Sequence, residues 1–460
     1  MSEIFKQCPR EILEKILKYL SLVDVIRTET VSKYFLDFVR STTWDDFTID
    51  KKGMSIMKNI MTTHKFTDYK INGTALLSEI MSAIKNSKQP VQLKKLSLQF
   101  FYNDEFINSN LEFLTSLREL KLWNSITKML SIHESKLPDS NPTIVHFNSF
   151  TNLVSLTLGE CETITDDSIQ HIPNLRKIRI HSCSGVYGTC FKNFSKLENL
   201  SIYGSSVNPK YFEHLTNLKQ LNIGFSTYTQ ITTDSLKLFK NPEKIIKLAL
   251  SFNKIPLSKE NIGLFTNLEK LSLNECNISD EVLSMFTNLH KLELIDCDSI
   301  IGTCLKSLSK LAHLICYYNF NIKNENLITC TNLRKLESQS CDLITNDGIK
   351  MLTQLEEIVI DSSHYITDEG LDSLKNCRSI NLCNCDFVTG SCLKSFTDLK
   401  KLSVSWCRGM ILKNVLSVPN DCILNITGCK RAFPDDKMIC YHKTAESIRN
   451  LCSEVSMINS

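Results

Sequence analysis

The chain has no apolar run of about 18 residues, the length that a membrane-spanning helix needs, so no such helix is expected. It also has no excess of one charge: 53 Lys and Arg face 50 Asp and Glu in 460 residues. That balance argues against nucleic acid or a membrane surface as the main partner. The first residues, Met1 to Lys6, lack the long apolar stretch of a secretory leader, so a cytoplasmic or nuclear chain is expected. There is no phosphate loop, no H-E-x-x-H pair and no clustering of Ser, His and Asp. No catalytic residue, cofactor or metal is therefore expected. Alanine is scarce, at 6 residues, beside abundant Lys, Asn and Ile. This composition fits an AT-rich genome; if the source is a virus, the setting is its host cell.

What the chain has instead is a phrase, L-x-x-L-x-L-x-x-(C/N). Leu268, Leu271, Leu273 and Cys276 state it, and Leu289, Leu292, Leu294 and Cys297 repeat it. Its first position then falls at Leu311, Leu333, Leu355, Cys377, Leu399 and Asp421, in steps of 22 residues. A fixed period of this length means a solenoid, whose units bury their apolar faces against their neighbours. L-x-L alternation is a short strand with one buried face, and stacking one strand per unit gives a parallel sheet.

The Cys or Asn after each strand points inward at a bend, where it can bond backbone groups that the strand leaves unsatisfied. Cys holds this place at 161, 183, 276, 297, 341, 385, 407 and 429, and Asn at 253 and 319. This accounts for eight of the 19 cysteines. Stacked about 4.8 Å apart, they suit a reducing compartment, since bridges would disrupt the stack. After this residue comes I-(T/S)-(D/N), as in Ile164-Thr165-Asp166 and Ile366-Thr367-Asp368. The Thr or Ser is placed to cap a short helix, with acids in its first turn. Thr-Asn-Leu, from Thr151, Thr216, Thr266, Thr287 and Thr331, closes that helix; its Asn is expected to take the left-handed turn. This pattern resembles the cysteine-containing leucine-rich repeat.

The N-terminal residues follow another rule. Pro9, Ile12, Leu13, Ile16, Leu17 and Leu20 fall on one helical stripe. Asp24 can cap a second helix, and Ser32 a third that carries Phe35, Phe38 and Val39. Three helices in so few residues seldom stand alone and must lean on the solenoid or on a partner. P-x-E-I-L-x-x-I-L-x-Y-L, then Asp24, Val31-Ser32-Lys33-x-Phe35 and Trp44, resembles an F-box. The resemblance implies a Skp-type adaptor as partner, and through it a cullin. It implies adaptor contacts at Pro9, Ile12, Leu13, Ile16, Leu17, Leu20, Val31 and Phe35. Cys8 stands where the family usually has Leu, and Phe35 where Trp is frequent. A helical cap that shields the first repeat is the alternative, either in a scaffold protein or in one that occupies the adaptor without delivering a target.

The expected fold is thus an α/β solenoid, a leucine-rich-repeat horseshoe of about 17 repeats counted from Trp44 to Asp421, with a parallel inner sheet and short outer helices. The expected boundaries are an F-box at 5–44, the solenoid at 45–429 and a C-terminal cap at 430–460, with a helix near Thr444 to Cys452. The step from Leu117 to Leu153 is 36, so the loop around Pro138-Asp139-Ser140-Asn141-Pro142 is an insertion. The resemblance implies the substrate-recognition subunit of an SCF-type ubiquitin ligase, which would hold an unidentified target protein on its open sheet. Candidate target contacts there are Trp123, Arg179, Tyr203, Phe225, Tyr317, Tyr318 and Trp406, since aromatics and arginine anchor interfaces. Lysines recur just before the second Leu, at Lys95, Lys177, Lys247, Lys270, Lys291, Lys335 and Lys401. They suit either an acidic segment of a target or a merely solvated edge. Cys383-Asn384-Cys385 does not read as a metal fragment, because alternation puts its two thiols on opposite faces. The runs at Gly188-Thr189-Cys190, Gly302-Thr303-Cys304 and Gly390-Ser391-Cys392 read as packing rather than as nucleophiles.

Overall fold

Our computed structural model describes residues 94–99, 114–123, 147–224, 230–251, 256–429 and 440–448. It adds the strands Thr43–Trp44, Phe47–Ile49, Lys65–Phe66 and Asp68–Asn72. The expected N-terminal helices, the loop around Pro138 to Pro142 and Phe225 lie outside the described residues. The chain divides into two compact units, 1–241 and 242–460.

In the first unit, eight described strands pair in parallel and in chain order, from Phe47–Ile49 and Asp68–Asn72 to Gln220–Gly224. In the second, nine do the same, from Lys247–Ser251 to Ile423–Thr427. The repeat therefore sets both sheets. Within each strand the two inward residues stack on the same pair in the next: Leu156 on Ile178, on Leu200, and Leu158 on Ile180, on Ile202. All six are at most 1% exposed. Each such side chain contributes roughly 1.5–3 kcal/mol by leaving water. Buried phenylalanines, among them Phe191, Phe212, Phe265, Phe286 and Phe396, fill the other side of the core behind the short helices.

The bend after each strand is held as the sequence implies. Cys297 Sγ donates to the carbonyls of Leu273 and Ile295 (3.6 and 3.5 Å). Cys161, Cys276 and Cys385 make the same pair of contacts. Asn319 does more: its Nδ2 donates to Leu294 and Tyr317 carbonyls, both at 2.8 Å, while its Oδ1 accepts from the Cys297 N–H at 3.0 Å. Ser205 fills the place with a hydroxyl, which donates to Ile180 and Tyr203 carbonyls. Most ladder side chains thus reach the preceding strand as well as their own, while Cys183 and Cys407 bond the carbonyls of His181 and Ser405 in their own strands. The described cysteines from Cys161 to Cys429 are unbridged, and all but Cys383 are buried. Cys383 is half-buried on the sheet surface while Cys385 lies in the core, as alternation requires.

The left-handed residue is not the Asn of Thr-Asn-Leu, as the sequence had suggested. It is the residue just before the ladder position. Glu160, Ser182, Glu275, Asp296, Tyr318, Ser340, Ser362, Asn384 and Trp406 all have φ between 49° and 57°. This backbone aims their N–H groups along the stack: Tyr318 donates to the Gln339 carbonyl (2.9 Å) and Trp406 to that of Thr427 (2.8 Å). The bond to the next repeat offsets the steric cost of the left-handed region, roughly 1–2 kcal/mol for a side chain with a Cβ. Asn of Thr-Asn-Leu has another task. Nδ2 of Asn152, Asn217, Asn267 and Asn332 donates to a backbone carbonyl one repeat earlier, at 2.8–3.0 Å. It forms a second ladder on the side away from the cysteines.

The I-T-D step caps and also staples. Thr165 and Ser168 form a capping box at the helix Asp166–Ile169, and Ser279 Oγ accepts from the Val282 N–H (3.3 Å). The acid that follows reaches into the next repeat. Asp166 accepts from the N–H groups of Tyr187, Gly188 and Cys190 at 2.8, 2.9 and 3.2 Å. Asp280 accepts from Ile301 and Cys304, and Asp368 from Thr389 and Cys392. Where the residue is Asn324 or Asn346, it instead exchanges two bonds with Thr345 or Thr367. Burial and the neighbouring Asp push the Cys190, Cys304 and Cys392 thiols far up, which keeps them from acting as thiolates.

The last parallel strand is covered by one that the sequence reading missed. Cys440–Thr444 pairs antiparallel with Ile423–Thr427 and closes the sheet edge. Ala445 and Ile448 follow it on a helical turn, both fully buried.

Two outcomes follow from these contacts. Asn319→Ala removes the acceptor of the buried Cys297 N–H and one donor from each of the Leu294 and Tyr317 carbonyls, a loss of about 1–3 kcal/mol, and should lower the urea midpoint. Asn319→Cys should recover much of the loss, because Cys serves the equivalent bend elsewhere. For Asp368, burial alone would raise the pKa, but bonds from the Thr389 N–H and hydroxyl and from Cys392 outweigh it and hold the carboxyl below its usual range. A depressed pKa contributes stability that is present above the ordinary value of about 3.9 and is lost as pH falls below it. Asp368→Asn should therefore cost about 1 kcal/mol at neutral pH, a figure reduced for its half exposure, and should flatten the fall in stability towards about pH 3. Urea titrations at the two pH values measure both effects.

Candidate functional site

Inward positions are committed to the core, so each sheet's open face is the candidate recognition surface. In the first unit this face has an aromatic strip. Trp123, Gly159, His181, Tyr203 and Gly224 end successive strands. Gly159 and Gly224 have no side chain, and the aromatic of the preceding strand lies over each. A methyl group added at Gly159 would overlap the Trp123 indole, and one at Gly224 the Tyr203 ring. Lying over Gly159, Trp123 reaches His181 two strands away, with ring centroids 4.9 Å apart. His181 in turn stacks on Tyr203 at 4.8 Å and 14°. Each aromatic pair adds roughly 0.5–1.5 kcal/mol beyond its burial.

Beside this strip lie Lys121, Lys177 and Arg179, on the open face of the same strands. Lys121 bonds Glu119 at 2.9 Å. Neither Lys177 nor Arg179 has an ion pair among the described residues. Burial, followed by the nearby Arg179, pushes the Lys177 pKa below its ordinary value. Trp123, Arg179 and Tyr203, three of the expected contacts, are thus brought together, with His181 as the residue that joins the rings. The sequence signal for this arrangement is an aromatic followed one repeat later by a strand-end glycine.

The second unit's face is different. Glu337 accepts from Tyr317 Oη at 2.8 Å, His313 Nε2 at 2.9 Å and Lys335 Nζ at 3.1 Å. Lys335 also meets Glu357 at 2.9 Å, and Lys291 meets Glu293 at 3.7 Å. Burial would raise the Glu337 pKa, but these bonds outweigh it and hold the carboxyl below its usual range. Burial and then Glu337 push the Tyr317 phenol up. Burial lowers His313, opposed by its bond to Glu337. Tyr317 therefore belongs to a satisfied network. Tyr318 remains 42% exposed beside it. Trp406 is 55% exposed and lies over Gly428, bordering a cavity of about 240 Å³ with Asn384, Asp386 and Arg408. It sits four strands from Tyr317, roughly 19 Å at sheet spacing, so these aromatics form no single cluster. The lysine row divides as well: Lys291 and Lys335 are neutralised, whereas Lys177 is not. Phe225 and the expected adaptor contacts, Pro9 to Phe35, lie outside the described residues.

Residues 5–44 match the F-box domain. With stacked leucine-rich repeats following that match, the composition of the chain is decided. It is an F-box and leucine-rich-repeat protein. No curated protein sequence matches it. Among solved structures, this F-box/leucine-rich-repeat protein is similar to TLR13 in its complex with ssRNA13, at 18% identity and a TM-score of 0.50, over 80% of this chain and 55% of that one. It is also similar to an internalin of Listeria monocytogenes, at 17% identity and a TM-score of 0.45, over 76% of this chain and 93% of that one. A leucine-rich-repeat protein of Leptospira interrogans gives 17% identity and a TM-score of 0.42, over 82% and 92%. At this identity the likeness concerns the fold alone.

The glycine seat can be tested directly. With Trp44 and Trp406 changed to Phe, Trp123 is the one remaining tryptophan of the three. Gly159→Ala should then push the indole off the sheet and shift its fluorescence to the red, with the circular dichroism spectrum unchanged. An unshifted spectrum would mean that Trp123 does not rest on Gly159.

Proposed function

We propose that this chain is the substrate-recognition subunit of an SCF-type ubiquitin ligase, acting in the cytoplasm or nucleus. The observation that carries the reading is the F-box match at 5–44, followed by repeats whose open sheet faces bear side chains not needed by the core. F-box domains bind Skp-type adaptors, and leucine-rich-repeat folds bind protein partners, so the combination is a protein-interaction adaptor. In the finer reading, Ile12, Leu13, Ile16 and Leu17 meet the adaptor, the adaptor meets a cullin, and the open sheet holds the target. Ubiquitin transfer then takes place on other subunits. This chain contributes position, which raises the effective concentration of target beside the transferring enzyme. It makes and breaks no bond itself.

Affinity capture with a purified Skp-type adaptor tests the reading. The natural chain should be retained, and the Leu13→Asp, Leu17→Asp double variant should not, while its circular dichroism spectrum stays that of the natural protein. Burying two unpaired carboxylates in an apolar interface costs several kcal/mol, enough to abolish capture. Equal retention of the two chains would remove the F-box from the contact and leave a scaffold with a helical cap.

A further inference from the structure

We propose that the open face of residues 119–203 is a docking site for an acidic segment of a protein target, with its carboxylates on Lys177 and Arg179 and an adjoining apolar or aromatic side chain against the Trp123, His181 and Tyr203 rings. The inference rests on the substrate-receptor reading and names the chemistry of the target segment.

The argument is one of charge complementarity. In the second unit, two lysines at the first strand position are answered by acids on the same face, Lys291 by Glu293 and Lys335 by Glu337 and Glu357, while Lys247, Lys270 and Lys401 have no ion pair among the described residues and no arginine beside them on their own strand. Around Lys177 and Arg179 the corresponding places hold Ser155, Thr157, Asn199 and Ser201, none of them charged. Glu119, the acid that acts on Lys177, is already bonded to Lys121. Two cations therefore share one stretch of sheet with hydroxyls and an amide around them and, among the described residues, no acid paired to either. Arg179 is exposed, and its planar guanidinium can take a carboxylate with two parallel bonds.

The aromatic strip lies one strand position away and adds a non-polar seat. Tyr203, 45% exposed, presents an open flank. Its ring is held by His181 on one side and by the Gly224 backbone beneath, so little rotamer freedom is lost on binding. A single-stranded nucleic acid fits less well. Two neighbouring cations make no continuous basic groove of the kind that tracks a nucleic-acid backbone. The balanced charge of the chain points the same way.

Fluorescence anisotropy on the purified full chain tests the site at low salt. The probes are a short labelled peptide of glutamates around one tyrosine, its lysine counterpart and an oligouridylate of equal length. The glutamate peptide should bind about tenfold or more tighter than the lysine peptide. Arg179→Glu should weaken it by at least about tenfold, whereas Lys335→Glu should change it by less than about twofold. Equal binding of the two peptides, or an unchanged Arg179→Glu variant, would overturn the proposal. Tighter binding of the oligouridylate would overturn it in favour of a nucleic-acid face. Adaptor capture is measured on the same samples. Capture retained by Arg179→Glu with peptide binding lost is the expected pattern, and peptide binding retained by the Leu13→Asp, Leu17→Asp variant shows that the site does not depend on the adaptor contact.

Discussion

Each repeat faces one unavoidable problem. Its strand is at most five residues long among the described residues, and where it ends the chain must turn while its N–H and C=O groups are still inside the protein. Everything else in the structure depends on how that turn is satisfied. The residue before the ladder position enters the left-handed region and gives its N–H to the next repeat. The ladder side chain then turns inward and bonds its own strand and, at most bends, the preceding strand too. Together they tie each repeat in both directions along the stack, at the point where a parallel sheet would otherwise leave buried polar groups open. Cys suits this place because its thiol is small, tolerates burial and donates weakly to two carbonyls. Asn319 and Ser205 show that any compact side chain able to donate can serve.

Because this bend, the Asp and Asn staples and the outer Asn ladder carry the stacking, the open sheet faces are free of structural duty. The two units use that freedom differently. In the second, Glu337 gathers Tyr317, His313 and Lys335 into a satisfied network. In the first, Lys177 and Arg179 lie beside three touching rings, two of which rest on glycines. Trp123, Tyr203 and Trp406 all follow one rule: an aromatic lies flat where the next repeat offers a glycine. Their faces are thus set by the backbone beneath them and not by flexible side-chain contacts.

Much of this was legible in the sequence. The period fixed the strands and their register, and the Cys positions were right because a spacing tied to the strand leaves only one inward place at the bend. Thr165, Thr345, Thr367 and Ser279 were read correctly as caps, since a hydroxyl before an acidic turn has few other uses. Other features depended on contacts between repeats. The Asn of Thr-Asn-Leu was assigned a backbone role from its tolerance of left-handed turns; in fact its amide bonds a carbonyl one repeat back, which only the stack brings near. Asp166 looked like a helix-end charge and proved to be a staple, because the N–H groups of Gly188 and Cys190 lie beneath it. The antiparallel strand Cys440–Thr444 has no repeat phase to reveal it.

The most direct test of this account is native-state hydrogen exchange, followed by mass spectrometry, at the amides just before the ladder residues, such as Ser182, Asp296, Tyr318 and Trp406. These amides lie outside the strands, beside solvent, in a conformation that usually marks a loose turn. The account predicts that they exchange as slowly as the adjoining strand amides, through opening of the surrounding repeats. Exchange as fast as in an unstructured loop would mean that the bend does not hold the stack together.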